Sequence, residues 1–135
     1  MNRSDATLAV QELLFRWFFE RPDATPRHCF LSLGADDSGR VIDPPPELME
    51  RLKNVAPAAK PASATVPDAF RVVDRATGEY GSRYTVRIER WVSDVEVVAT
   101  HESYTGPLSS FERTVRVRFD AGRWQFAGVL SVAIS

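Results

Sequence analysis

A single cysteine, Cys29, among 135 residues leaves no partner for an internal disulfide. Two histidines, His28 and His101, even together with that cysteine are too few for a closed four-ligand zinc site. Neither sign of charge dominates: 17 Lys and Arg stand against 18 Asp and Glu, a formal net charge of −1 spread evenly along the chain. That removes the electrostatic basis for a nucleic-acid or membrane-surface partner. No apolar run is long enough to cross a bilayer, because Gln11, Glu12, Arg16 and Glu20 interrupt the N-terminal stretch. Met1-Asn2-Arg3-Ser4-Asp5 is not the start of a signal peptide, so a cytoplasmic location is expected. A nucleophile elbow, a Gly-rich phosphate loop, a metalloprotease helix and a nucleotide fingerprint are all missing. The common enzyme classes therefore find no support, and no metal or cofactor is expected. A small acid–base enzyme, which needs only two or three polar side chains in a pocket, stays open.

What the chain does have is strands. From Arg83 to Ser135 four runs read as a β-meander, and its length suits a single domain spanning residues 1–135. Tyr84, Val86 and Ile88 alternate with Arg83, Thr85, Arg87 and Glu89, the mark of one buried and one wet face. The phase breaks at Arg90 and Trp91, and a bulge there would restore it. The next run places Val95, Val97, Ala99 and His101 on one face. Thr105-Gly106-Pro107 interrupts the ladder. Val115, Val117 and Phe119 then face in, and Thr114, Arg116 and Arg118 face out. Asp120-Ala121-Gly122 is a short hairpin loop. The last run carries Trp124, Phe126, Gly128, Leu130, Val132 and Ile134 on one parity, with Gly128 marking a close approach of another group.

Such a sheet must be covered on its apolar face, and the first part of the chain supplies the cover. Residues 5–20 read as a helix capped by Ser4 or Asp5 and ended by Pro22. Leu8, Val10, Leu13, Leu14, Trp17 and Phe18 form its apolar stripe, widened by Phe15 and Phe19, which belong to the core or to a dimer contact. A loop over 22–27 leads to an extended segment from Cys29 to Leu33. A second, short helix from Glu47 to Asn54 follows Pro46 and buries Leu48, Met49 and Leu52. Residues 62–66 and 70–73 read as weak strands. The fold class is α+β: a long N-terminal helix and a short second helix packed on a curved antiparallel sheet of four to six strands.

Asp43-Pro44 with Leu48 to Leu52, Val73-Asp74-Arg75-Ala76-Thr77-Gly78, Trp91-Val92-Ser93-Asp94, Gly106-Pro107-Leu108-Ser109, Gly122-Arg123-Trp124 and the final Ile134-Ser135 together resemble a group of short uncharacterised bacterial proteins. The resemblance covers roughly residues 28 to 135. It rests on turn and core residues, so it bears on fold and is silent on activity. The layout is also similar to the cystatin-like and nuclear-transport-factor-2-like cones, which implies a helix cradled in a bent sheet. Folds of this kind host enzymes, pockets and interaction modules alike.

His101, three tryptophans and one basic pair are the site candidates. His101 on the inner parity is either a general base in a pocket or a hydrogen-bonded histidine of the structure. Trp17, Trp91 and Trp124 would line an apolar ligand site or fill the core. Arg116 and Arg118, with Arg83 and Arg87, form either a basic docking stripe or a face neutralised by Glu89, Glu96 and Glu112. His28-Cys29 is a buried structural pair or a reactive one. Asp36-Asp37-Ser38-Gly39 lacks the ligand spacing of a calcium loop. Two functions follow. One is a non-catalytic interaction or accessory domain, of the immunity or inhibitor kind, whose partner is a protein or a second copy. The other is a cone with a pocket that binds or transforms a small apolar molecule. A filled core favours the first, and a cavity reaching His101 favours the second.

Overall fold

The first helix, α1, spans Arg3–Phe19 in a computed structural model that describes residues 2–20, 28–67 and 69–135. Its cap is Asn2 rather than Ser4 or Asp5: the Asn2 side chain accepts the Asp5 amide at 2.8 Å, satisfying one free N–H of the first turn. The expected loop over 22–27, and Pro22 as the helix stop, lie outside the described residues. Ala6, Val10, Leu14, Phe15 and Phe19 are buried, so Phe15 and Phe19 belong to the core and not to a dimer contact. Arg16 fastens α1 to the second helix, α2 (Pro46–Arg51). It donates to Glu12 at 2.8 Å and Glu20 at 3.0 Å on its own helix, then to the Arg51 carbonyl at 3.2 Å and Asn54 at 3.0 Å. Leu48 and Leu52 turn inward against it.

Six strands form one curved, unclosed sheet, which with the two helices makes the α+β class. They are β1 (Cys29–Ser32), β2 (Lys60–Pro61), β3 (Ser82–Ser93), β4 (Glu96–Gly106), β5 (Ser109–Asp120) and β6 (Arg123–Ile134), in the order β2-β1-β3-β4-β5-β6. The pairs from β3 to β6 are antiparallel, as expected. β1, however, pairs parallel with both β2 and β3. Between β1 and β3 the chain passes through α2, the long crossover that parallel pairing needs, whereas only tight turns join the later strands. The two weak strands of the linker do not form. Ala62–Ala64 is a 3₁₀ turn, and Thr65 and Val73 make only isolated bridges, to Asp74 and Tyr80. Pro61 and Pro67 offer no amide to a longer ladder.

Bulges decide which side chains face α1. In β3, Ile88 lies opposite Ala99 and Arg90 opposite Val98, so Glu89 is the extra residue and Trp91 returns to the helix side opposite Val97. Val95 is not part of that row: it sits in the turn and is 40% exposed. In β6 there are two more shifts. Thr114 pairs Ser131 but Val115 pairs Val129, which leaves Leu130 extra, and Arg116 pairs Gly128 but Val117 pairs Phe126, which leaves Ala127 extra. The single parity expected for β6 is therefore corrected. Phe126, Val129, Val132 and Ile134 share the helix side, and Gly128 lies on the other side opposite Arg116. Among the described residues no group approaches Gly128, since a Cβ there would meet nothing within 4 Å.

The core lies between α1 and the helix side of β3, β4 and β5. Val10, Leu14, Phe15, Val86, Val97, Ala99, Val115 and Val117 are fully buried there. Each large aliphatic or aromatic one contributes about 1.5–3 kcal/mol relative to exposure.

Two backbone positions yield predictions. A Cβ on Gly81 would overlap the His28 carbonyl oxygen and lie 2.8 Å from the His28 Cβ. Gly81→Ala should lower unfolding stability by about 1–3 kcal/mol, read as a fall in the urea midpoint. In the β5–β6 turn Ala121 (φ 53°) and Gly122 (φ 79°) are both left-handed, the geometry in which Asn outperforms Ala. Ala121→Asn should raise the same midpoint, by about 0.5 kcal/mol in stability.

Candidate functional site

His101 faces α1 from the middle of the sheet and is 0% exposed. Its Nδ1 lies 3.0 Å from the Leu14 carbonyl, and its Nε2 lies 2.7 Å from Arg113 Nε. A guanidinium has no lone pair to offer, so Nε2 is the acceptor and the ring proton sits on Nδ1, donated to Leu14. Burial, together with the Arg113 charge, pushes His101 down to about 4 against the pull of the Leu14 carbonyl. The ring is therefore neutral and both its nitrogens are engaged. A general base needs a lone pair within reach of substrate, and this one holds an arginine in place.

Around it lies an aromatic bed. Trp17 and Phe18 ring centroids stand 5.0 Å from the His101 ring. Trp17 stacks on Phe111 at 5.7 Å, with 13° between planes. Arg113 lies over Trp17 at 4.0 Å and near Phe126 at 5.1 Å, within cation–π range of both. Arg113 was not singled out from the sequence, yet it shares parity with Val115, Val117 and Phe119, and an arginine on an apolar parity was the available signal.

Beyond this bed the helix side of β6 has no cover among the described residues. Phe126 is 37% exposed, Val129 and Val132 each 53%, and Ile134 75%. Near the Phe126 end a groove of about 620 Å³ runs between α1 and β6, lined by Leu13, Arg16, Trp17, Trp124 and Phe126 among others. Trp124 itself is buried, and its indole N–H has no acceptor among the described residues. Trp91 stands at the far end, edge-on to Trp124 at 5.9 Å and covered by Arg3 at 4.0 Å. The structure thus brings Trp17 and His101 together, sets Trp91 and Trp124 apart as a second pair, and engages both His101 nitrogens in hydrogen bonds inside the core.

Arg116 and Arg118 are on the opposite face of the sheet. Both meet the Glu96 carboxylate, at 3.3 Å and 3.4 Å. Arg87 lies 3.4 Å from Glu89 and 3.9 Å from both Glu102 and Glu112. Burial and the neighbouring Glu112 raise the Glu102 carboxyl. This face is a lattice of opposite charges. At the other end of the sheet, His28 bridges Glu79 at 2.7 Å and Asp74 at 3.5 Å, and Cys29 is buried, its thiol pushed up to about 11 by desolvation. A thiol so placed is an inert core group. Asp36 uses one carboxylate oxygen to hold the Ser38 and Arg40 amides of its own turn. Among the described residues no three His, Cys, Asp or Glu side chains gather as a metal set, and no helix is long and apolar enough to cross a membrane.

No family model matches this chain, and neither a curated protein nor a solved structure matches it.

His101 makes stability depend on pH in a defined direction. Its folded value of about 4 lies below the ordinary 6.5, so the unfolded chain binds the extra proton first. The contribution is complete above pH 6.5 and is lost as pH falls towards 4, by up to about 3 kcal/mol. Urea titrations across this window should show that loss in the native protein and a shallower one in His101→Gln. Equal slopes would mean that His101 is not a buried neutral ring.

Proposed function

We propose that this chain is a non-catalytic protein-interaction domain, an accessory or inhibitor-type module, that docks its partner on the uncovered helix side of β6. The observation that carries the reading is the row Phe126, Val129, Val132 and Ile134, which is apolar, aligned on one face and left in water. Soluble proteins seldom expose a contiguous strip of this kind without a use for it. The strip also lies on an edge strand, where the outer N–H and C=O groups are available to a neighbour.

Two further features support interaction over turnover. His101 is the one inward histidine, and both its nitrogens are occupied inside the core. The opposite face neutralises its own charges, so the strongest unsatisfied surface is the apolar one. For the alternative, a small apolar ligand, the open groove beside Trp17 and Phe126 remains, with no histidine lining it.

A photo-crosslinking residue placed at Val132, compared with one at Arg118 on the opposite face, tests the reading in the cells that make the protein. A discrete cross-linked protein should appear from position 132 and not from 118. Silence at 132, or the same products from both positions, would sink it.

A further inference from the structure

We infer that the face of the sheet turned away from α1 carries a small-molecule site of its own, a pocket of about 270 Å³ that takes a free α-amino acid, with its carboxylate at Arg83 and its ammonium at the Glu102–Glu112 pair. The pocket lies on the face opposite the β6 strip and needs no partner there.

Strand register builds the floor. Ser32, Thr85 and Glu102 stand side by side on β1, β3 and β4, and Glu112 follows on β5. Arg83 and Arg87, two residues to either side of Thr85 on the same face, are the walls. The roof is the loop over 34–41. The Leu33 amide bonds the Ile42 carbonyl at 2.8 Å and Ala35 bridges Val41, so the loop is closed on itself. It is pinned to the floor by the Gly34 amide, which donates to the Ser32 hydroxyl at 2.9 Å. Gly34, at φ 102°, brings the roof down on the Arg87 stem, where a Cβ would stand 3.1 Å from Arg87 Cδ. The space is smaller than a drug-sized ligand needs and suits a single amino acid.

The pocket holds polar groups that the charge lattice of this face leaves unspent. Among the described residues Arg83 forms no ion pair, and its contact is the Tyr104 ring at 5.1 Å. Thr85 is 4% exposed, yet its hydroxyl has no hydrogen-bond partner among the described residues. Arg87 is already engaged, 3.4 Å from Glu89 and 3.9 Å from both Glu102 and Glu112. The roof residues that line the pocket, Gly34, Ala35, Gly39 and Val41, are uncharged. Burial and the bond to Glu112 raise the Glu102 carboxyl against the pull of Arg87 and Arg83, so the pair holds a proton that a lone carboxylate would release. An ammonium, with three donors, serves both carboxylates in place of that one proton, which leaves to solvent. A guanidinium with an open fork matches a carboxylate. A simple anion would face the carboxyl pair, and a simple amine would leave Arg83 unused; a ligand bearing both groups meets both.

Titration calorimetry of the full chain against the common free α-amino acids, one at a time, tests the inference. At least one should bind saturably, one per chain. Its N-acetyl derivative and its C-terminal amide should each bind at least about 10-fold more weakly, since each loses one charge-assisted contact. Arg83→Gln should weaken the free amino acid about as much as amidation does, and should bind the amide no worse than the native chain. Glu102→Gln should do the same with respect to the N-acetyl derivative. Both side chains are partly exposed, so a thermal melt near that of the native protein shows that the fold is kept. Arg123→Gln, which removes the same charge from the groove beside α1, should bind as the native chain does. The inference is overturned if no amino acid gives saturable heat, if a blocked derivative binds as well as the free one, or if binding ignores both pocket substitutions. None of these results alters cross-linking from position 132, so a failure here is told apart from a failure of the β6 docking site.

Discussion

A helix about 10 Å across cannot cover a sheet of six strands spaced about 4.8 Å apart. Most of the molecule follows from that mismatch. α1 spans the middle of the sheet. It meets β3 through Phe18 and Phe19 on Tyr84, and β4 through the Leu14–His101 bond. α2 extends the cover with Leu48 and Leu52. Among the described residues nothing covers the far half of β6, whose helix-side row stays apolar although it is exposed. Bulges at Ala127 and Leu130 do not relieve this. They put Val129 in the helix-side row in place of Gly128 and leave Leu130 unpaired, while Phe126, Val132 and Ile134 keep the side that simple alternation gives them.

Between the covered and uncovered regions lies the one polar weld of the core. His101 ties a helix carbonyl to a sheet arginine, and desolvation holds the ring neutral while it does so. An unbonded imidazole there would cost the desolvation of two polar atoms; with both engaged, the same ring fixes how α1 lies on β4 and β5. Arg113 extends the weld outward over Trp17 and towards Phe126, so the uncovered strip begins where the aromatic bed ends.

The two faces of the sheet follow different rules. On the face away from α1, Arg87, Arg116 and Arg118 meet Glu96, Glu102 and Glu112 across neighbouring strands and Glu89 along β3, a solvated arrangement in which each pair adds little. On the helix side the drive is apolar burial, and it is incomplete. The proposed interaction role rests on that imbalance, an apolar row on β6 left exposed on the helix side.

Much of the architecture was legible in the sequence because local physics sets it. The 3.6-residue stripe gave α1, the period-two runs gave β3 to β6, and the lost phase at Arg90 and Trp91 betrayed the bulge at Glu89. Asp120-Ala121-Gly122 marked its hairpin, and His101 took its inward side from parity. Other features needed the assembled chain. The parallel entry of β1 depends on where a long crossover returns, which no residue pattern encodes. The double bulge in β6 depends on its pairing with β5, and pairing register is a property of two strands. That His101 holds Arg113 rather than a substrate depends on residues 87 and 12 positions away in the chain meeting at one ring. Composition alone settled that β6 would be apolar. Whether it would also be bare was decided only in three dimensions, by the limited width of the helix that covers its neighbours.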